Sequence, residues 1–445
     1  MVYVPFAFGV ASFAAATMQT LFVTYYVTLF LRVYRLDSFW FLVGEGMYLV
    51  WNSVNDPLFG FFLRGVSVKK RLPSLNWGGI LWSLSFALFF VLPVASSPWM
   101  VGLHFCICLL LYDTFYSFVL IVHNSLLPDI SSDAHERASC NAWSSGFSIL
   151  GSCSVLGANL LWDAMDIGPF RVFCLVMGFL SLGALQASYF MLKSSGRAIQ
   201  SEEQRKLHLS GDDSQFTLRS FWADLRAHGN FWVFVGVNLI QMFNCHFNTS
   251  LLVIAIARFI SPLSSSSLSS ASSSYLVSSS ALLTLAAVLP HAAVVLLTPV
   301  LHRVGLRSFL LGLYAFKVVV GAVGLFLVAP TSSSFVQLAA LFLTNKVFTE
   351  VICRHGNLVV ADLVEEDSAL HPQRSSSRSS MYFGANAFFS KPGEALAAVV
   401  CYYAQKYDAS LYQLLFAIPI ACGVAQLLIF QAYRPFVSTE VEKRT

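Results

Sequence analysis

Twelve apolar runs, each near or above the length of a membrane-spanning helix, succeed one another along the chain with short polar breaks between them. They fall at about 5–31, 39–63, 75–95, 99–123, 139–161 and 169–192, then 229–257, 275–300, 306–329, 333–361, 378–404 and 410–432. An α-helix needs roughly 20 apolar residues to cross the hydrocarbon core. With no water there to satisfy the backbone, only helices and closed barrels can span. The runs are too long and too continuously apolar for barrel strands, so the fold class is an all-α membrane protein. The longest polar stretch, 193–228, divides the runs six and six. It sets an N-terminal six-helix half at 1–192, a linker at 193–228, a C-terminal six-helix half at 229–432 and a tail at 433–445.

Composition excludes most other classes. Only 11% of residues are charged, against roughly a quarter in soluble domains, and 56% are hydrophobic. The first run lacks a basic leader and a small-residue cleavage pattern, so it reads as a first span rather than a removed signal. The net charge of +4 is no sign of nucleic-acid binding. The nine Cys show no C-x-x-C pair and no zinc-ligand spacing, so neither a disulfide framework nor a metal site is expected; they read as small packing residues. Nucleophile-elbow, P-loop, zincin and dinucleotide patterns are absent, which argues against an enzyme. The sequon at Asn248 falls inside an expected helix and reads as chance. The serine-dense run 261–280 reads as a loop, with a serine-rich helix face as the alternative.

Lys and Arg placement orients the chain, because cytoplasmic segments retain basic residues. If both termini are cytoplasmic, 18 of the 27 Lys and Arg lie on the inside and five outside, the other four falling within helices. Both termini are therefore expected in the cytoplasm, with the plasma membrane as the default site.

Ionisable residues at membrane depth cost roughly 2.5–3.5 kcal/mol each on insertion scales, so they mark candidate sites. The second run carries Glu45 and Asp56, the fourth Asp113 and His123. The tenth carries Lys346, Glu350 and Arg354, and the eleventh Lys391 and Glu394. Asn52 and Asp56 are four apart and share a helix face, with Asn55 beside them and the helix-weakening Pro57 next. They could offer oxygens to a cation or a solute, or lock a hinge. Lys346, Glu350 and Arg354, at spacings of four, form either a self-neutralising ladder or part of a site. Lys391 and Glu394 could pair, but Pro392 and Gly393 between them should break the helix, and a broken helix beside a buried charge is a transporter feature. His104, His246 and His291 read as packing histidines.

These residues resemble a known family. Asn55-Asp56-Pro57-Leu58-Phe59-Gly60 followed by a basic loop is similar to the N-D-P-x-x-G signature of the glycoside–pentoside–hexuronide cation symporters, a branch of the major facilitator superfamily. Pro128-Asp129-Ile130 leading to Asp133, Glu136 and Arg137 resembles that family's P-x-I-x-x-D-x-x-E-R element. Ala361-Asp362-Leu363-Val364-Glu365-Glu366, with the later Lys391, resembles its A-D-x-x-D-[DE] run and membrane lysine. The resemblance implies the major facilitator fold and alternating access, carrying a sugar or other polar solute with Na⁺, Li⁺ or H⁺. Asn52, Asn55, Asp56, Asp113, Lys391 and Glu394 become candidates for solute or cation binding. Glu45, Pro57, Gly60, Asp133, Glu136, Arg137, Lys346, Glu350, Arg354 and Asp362 become candidates for structural or gating roles.

The family's carboxylate cluster is incomplete here. Asn52 replaces its first aspartate, the first run contains no acid, and the position of its fourth-helix aspartate falls on Leu120. Hard cations need several oxygens and compensating charge, by analogy with Ca²⁺ and Mg²⁺. Proton coupling through Asp56, or facilitated diffusion, is expected over Na⁺ coupling, with no other cofactor. The leading reading is a secondary transporter, working as a monomer in the bilayer on a small polar, carbohydrate-like solute. A lipid or lysolipid carrier and a non-transporting scaffold or sensor are the alternatives.

Overall fold

The computed structural model describes residues 3–64, 66, 68–91, 97–131, 133–163, 165–195, 218–255, 270–327, 335–371, 378–406 and 411–435. Most of the linker, the serine run up to 269 and the last ten residues lie outside them.

The described residues form helices that follow the apolar runs. In the first half these are α1 (Val4–Thr28, extended by a π turn at Leu29–Val33), α2 (Ser38–Phe62), α3 (Val68–Leu88) and α4 (Pro98–Ile130). The fifth run is split into α5 (Ala134–Ser152) and α6 (Ser154–Leu161), and the sixth is α7 (Gly168–Ser195). A short amphipathic α8 (Leu218–Ala227) precedes α9 (Gly229–Ala255), α10 (Ser270–Val304), α11 (Leu306–Leu327) and α12 (Phe335–Leu370). The eleventh run is broken into α13 (Ser379–Ser390) and α14 (Pro392–Lys406), and α15 (Leu411–Phe430) closes the series. Among the described residues, six helical stretches have the length and composition to cross a membrane on those two criteria alone.

Several boundaries differ from the hydropathy reading, among them the end of the tenth helix at Leu370 rather than about 361. The third helix starts at Val68 rather than about 75, and the fourth runs to Ile130 rather than about 123. Both extensions add polar turns that hydropathy assigns to loops. Helix α10 begins at Ser270, within the run that composition reads as a loop; serine is a tolerable helix former once its backbone is paired.

The chain divides into two compact units: Met1–Gln215 with Val364–Phe388, and Phe216–Leu363 with Phe389–Thr445. In the first, α1 packs on α5 and α7, α2 on α4, and α3 on α4 and α7. In the second, α9 packs on α14 and α15, and α11 on α15. Counting spans within each half, the first span meets the fifth and sixth, and the third meets the sixth, in both. This repeated pairing is the duplication that the six-and-six count implies.

Close helix approach uses small residues, as expected where lipid supplies no hydrophobic drive for association. A Cβ on Gly151 of α5 would stand 2.6 Å from the Phe13 carbonyl oxygen of α1, and one on Gly393 of α14 would stand 2.5 Å from that of Leu239 on α9. The outer faces are apolar: Leu42, Leu160, Phe179, Leu296 and Phe326 are all exposed, as lipid-facing side chains must be.

Candidate functional site

In the first unit the polar centre lies between α2 and α4. The motif stretch stays helical through Pro57, and residues four apart on α2 reach α4 together. Trp51 donates its indole N–H to Thr114 Oγ1 at 2.8 Å, and Asn55 donates its amide N–H to the Asp113 carboxylate at 2.5 Å. Asn55 and Asp113 are both buried, at 0% and 1% exposure. A carboxamide can serve either state of this acid, donating through nitrogen to the carboxylate or accepting through oxygen from the carboxylic acid. Asp56 is buried beside them in sequence, and Asn52 is half-buried. The expected Asn52–Asp56 face is thus supplemented by Asn55, whose side chain makes the link to α4. Glu45, two turns and more toward the start of α2, faces Tyr26 of α1.

At its other end α2 meets α13. A Cβ on Gly60 would lie 2.7 Å from the Ser380 carbonyl oxygen, and one on Gly384 would lie 2.9 Å from that of Asp56. The motif glycine is therefore a close-approach position, and Ser380 also donates to the Gly60 carbonyl at 3.4 Å.

Beside this contact lies a cluster that motif reading left undivided from the loops. Arg71 of α3 forms a buried ion pair with Asp129 of α4. Its guanidinium also donates to Ser125 at 3.0 Å and Ser379 at 2.8 Å, and Ser379 donates to Asp129 at 3.1 Å. Arg137 pairs with Glu365 at 2.9 Å and donates to the Ser131 carbonyl. Asp133 caps α5 by accepting from the His135 backbone N–H, with Glu136 in the first turn; Asp362 is half-buried on α12. His123 hydrogen-bonds the Phe8 carbonyl and stacks on the Phe8 ring, so it serves α1–α4 packing.

In the second unit the polar residues of α12 face α9. Lys346 pairs with Glu350 at 2.6 Å and donates to Thr249 at 2.5 Å. Asn244 and Asn248 both donate to Thr349 Oγ1, at 3.2 and 3.3 Å, and Asn345 donates to Asn248. Asn248 is fully buried, which suits the reading of its sequon as chance. Arg354 is half-buried one turn further on.

Two expectations change here. Glu394 pairs with His246 at 3.3 Å, so His246 is an exposed partner of a carboxylate rather than a packing histidine. Lys391 sits half-buried at the α13–α14 break, where Pro392 can donate no backbone N–H. The expectation of no disulfide is also corrected: Cys245 and Cys353 are joined, a contact that 108 residues of separation hide from any spacing rule.

Sequence reasoning also passed over Lys317 of α11. It is buried at 1% exposure and donates to the side-chain oxygens of Gln241 and Gln426, while Gln426 donates to Gln241 at 2.8 Å.

Residues 7–407 match the family described as MFS/sugar transport protein. The chain belongs to that family. It is also 33% identical over 419 residues to transmembrane protein 180 of Gallus gallus, covering 88% of this chain and 78% of that protein, and 32% identical over 431 residues to transmembrane protein 180 of Mus musculus, covering 89% and 79%. Among solved structures it resembles the E. coli fucose:proton symporter (TM-score 0.67, 11% identity, 98% of this chain and 100% of that one). It also resembles a bacterial homologue of the iron transporter ferroportin in its outward-facing state (TM-score 0.65, 13% identity, 97% and 99%). At such identities these likenesses establish the fold alone. Together with the family match they make the chain a member of the major facilitator superfamily, with twelve transmembrane helices in two six-helix halves.

Proposed function

We propose that this protein is a proton-linked or facilitative transporter of a small, polar, carbohydrate-like solute, working by alternating access. The observation that carries the reading is the buried Asn55–Asp113 contact within the helix pair that bears the Asn55-Asp56-Pro57 motif. A carboxyl group at membrane depth, held by a side chain able to bond both of its protonation states, is suited to taking up and releasing a proton. The family's sugar-transport description supports the solute class, and the solved fucose:proton symporter shares the fold.

Na⁺ fits less well, since the first helix supplies no acid and Asn52 stands where the resemblance calls for an aspartate. Within the second unit, Lys391 and the Glu394–His246 pair are the proposed candidates for solute contact. The basic-residue asymmetry supports cytoplasmic termini, with the plasma membrane as the working assignment and one chain as the transport unit.

The test is thermal unfolding of purified protein against neutral sugars, amino acids and lysolipids, with and without Na⁺ and across pH. A ligand that binds only the folded state raises the melting temperature by mass action. A sugar-specific rise that depends on pH and not on Na⁺, and whose pH dependence is lost in Asp113→Asn, supports the reading. A shift with lysolipids alone would replace it with a lipid carrier, and no shift with any solute would favour a scaffold or sensor.

A further inference from the structure

The second unit holds a side-chain cluster that solute transport does not require. Cys245 on α9 and Cys353 on α12 meet across Cα atoms 7.6 Å apart. Glu350, one turn before Cys353, places a carboxylate oxygen so that it and both sulfurs all lie within 4.8 Å of one another. Gln241, one turn before Cys245, donates from its amide nitrogen to the Thr349 carbonyl at 2.7 Å, and the same nitrogen lies 3.5 and 3.3 Å from the two sulfurs. The Lys317 ammonium stands behind that amide, 3.4 Å from its oxygen.

We propose that, with the disulfide reduced, Cys245, Cys353 and Glu350 bind one thiophilic divalent cation of the zinc class. Thiolates are soft ligands that select such ions, and the carboxylate completes a mixed set common at zinc centres. Disulfides usually span Cα separations of about 4.4–6.8 Å, whereas an ion seated between two sulfurs, each about 2.3 Å from it, accommodates a wider one. With one Gln241 N–H held by the Thr349 carbonyl, the other is in reach of the two sulfurs, the outer-shell contact that orients and stabilises thiolate ligands.

Two thiolates and a carboxylate bring three negative charges, so a divalent ion leaves one. The Lys346 ammonium, 2.6 Å from Glu350, offsets part of the ligands' charge, and Arg354 and Lys317 add further positive charge close by. Three ligands are found among the described residues, which leaves a fourth tetrahedral position for water or another donor. The chemistry balances in two steps. Two thiol equivalents reduce the disulfide and leave as their own disulfide. The ion then displaces one proton from each cysteine.

The test uses full-length protein in lipid nanodiscs, reduced with a phosphine and freed of it without air. Cd²⁺ serves as the probe, followed by its sulfur-to-cadmium ultraviolet absorption, and mass spectrometry then maps which cysteines it shields from N-ethylmaleimide. The expected result is one Cd²⁺ per chain, shielding at Cys245 and Cys353 only, and displacement by Zn²⁺. Cys245→Ser and Cys353→Ser should each abolish the absorption, and Gln241→Leu should weaken binding about 10–100-fold. Shielding at any of the seven other cysteines instead, or no cadmium absorption from reduced, monodisperse wild-type protein, would overturn the proposal. So would a Cys245–Cys353 pair that the phosphine leaves oxidised. The wild-type map stands by itself if the serine variants fail to fold.

Discussion

Arg71 and Asp129, 58 residues apart, form an ion pair with both side chains buried, and Ser379 donates to the aspartate while accepting from the arginine. One helix pair and a segment from the far half of the sequence are thereby fastened at a single point. A buried pair adds little against a well-packed apolar substitute, but removing one partner strands a charge at a cost of about 3–5 kcal/mol. Arg71→Ala and Asp129→Ala should each sharply lower the unfolding temperature in detergent. The double variant Arg71→Met/Asp129→Leu should unfold above either single variant.

The Lys317 cluster should respond asymmetrically. Without the lysine, Gln241 and Gln426 still hydrogen-bond each other at 2.8 Å, so Lys317→Met leaves few unmet groups. Without Gln426, a buried ammonium loses one of its two acceptors. Gln426→Leu should therefore destabilise more than Lys317→Met by roughly 1–3 kcal/mol, read from paired thermal-unfolding curves.

Gly60 should tolerate no side chain. A Cβ there would press on the Ser380 carbonyl at 2.7 Å, whereas Gly46, further back on the same helix, has open space around it. Gly60→Val should lower both thermal stability and uptake. Gly46→Val, on the same helix and in the same lipid, should leave both nearly unchanged.

If Asp113 carries the coupling proton, Asp113→Asn should lose the pH dependence of transport while keeping solute exchange, because an amide can still pair with Asn55 but cannot titrate. Asn55→Ala should keep the pH dependence and shift it, since the acid remains and one hydrogen-bond donor to it is gone. Initial rates at a series of pH values distinguish the two.

Much of this architecture is legible in hydropathy, because spanning length and backbone satisfaction leave few options. The break at Lys391 was also readable, since Pro392 removes a donor that the helix needs. What hydropathy misses is polar helix at the ends of spans. Arg71 and Asp129 read as loop residues because α3 and α4 run on past the apolar stretch.

Partner choice between helices was harder still. Spacing within one helix correctly offers Glu350 to Lys346, four residues away. It also offers Glu394 to Lys391, yet Glu394 pairs with His246, because helix rotation and packing set which neighbours meet. The Cys245–Cys353 contact depends on the same interhelical register and leaves no local pattern.

The most direct test of the central claim places the protein in liposomes containing a pH-sensitive dye and adds neutral mono- and disaccharides outside, without Na⁺. The account predicts uptake of at least one labelled sugar, absent for protein-free liposomes; proton-linked transport acidifies the interior in the wild type and not in Asp113→Asn, and facilitative transport leaves the interior pH unchanged in both. Sugar uptake driven by a Na⁺ gradient and insensitive to pH would contradict it, as would correctly folded protein that moves neither sugar nor protons.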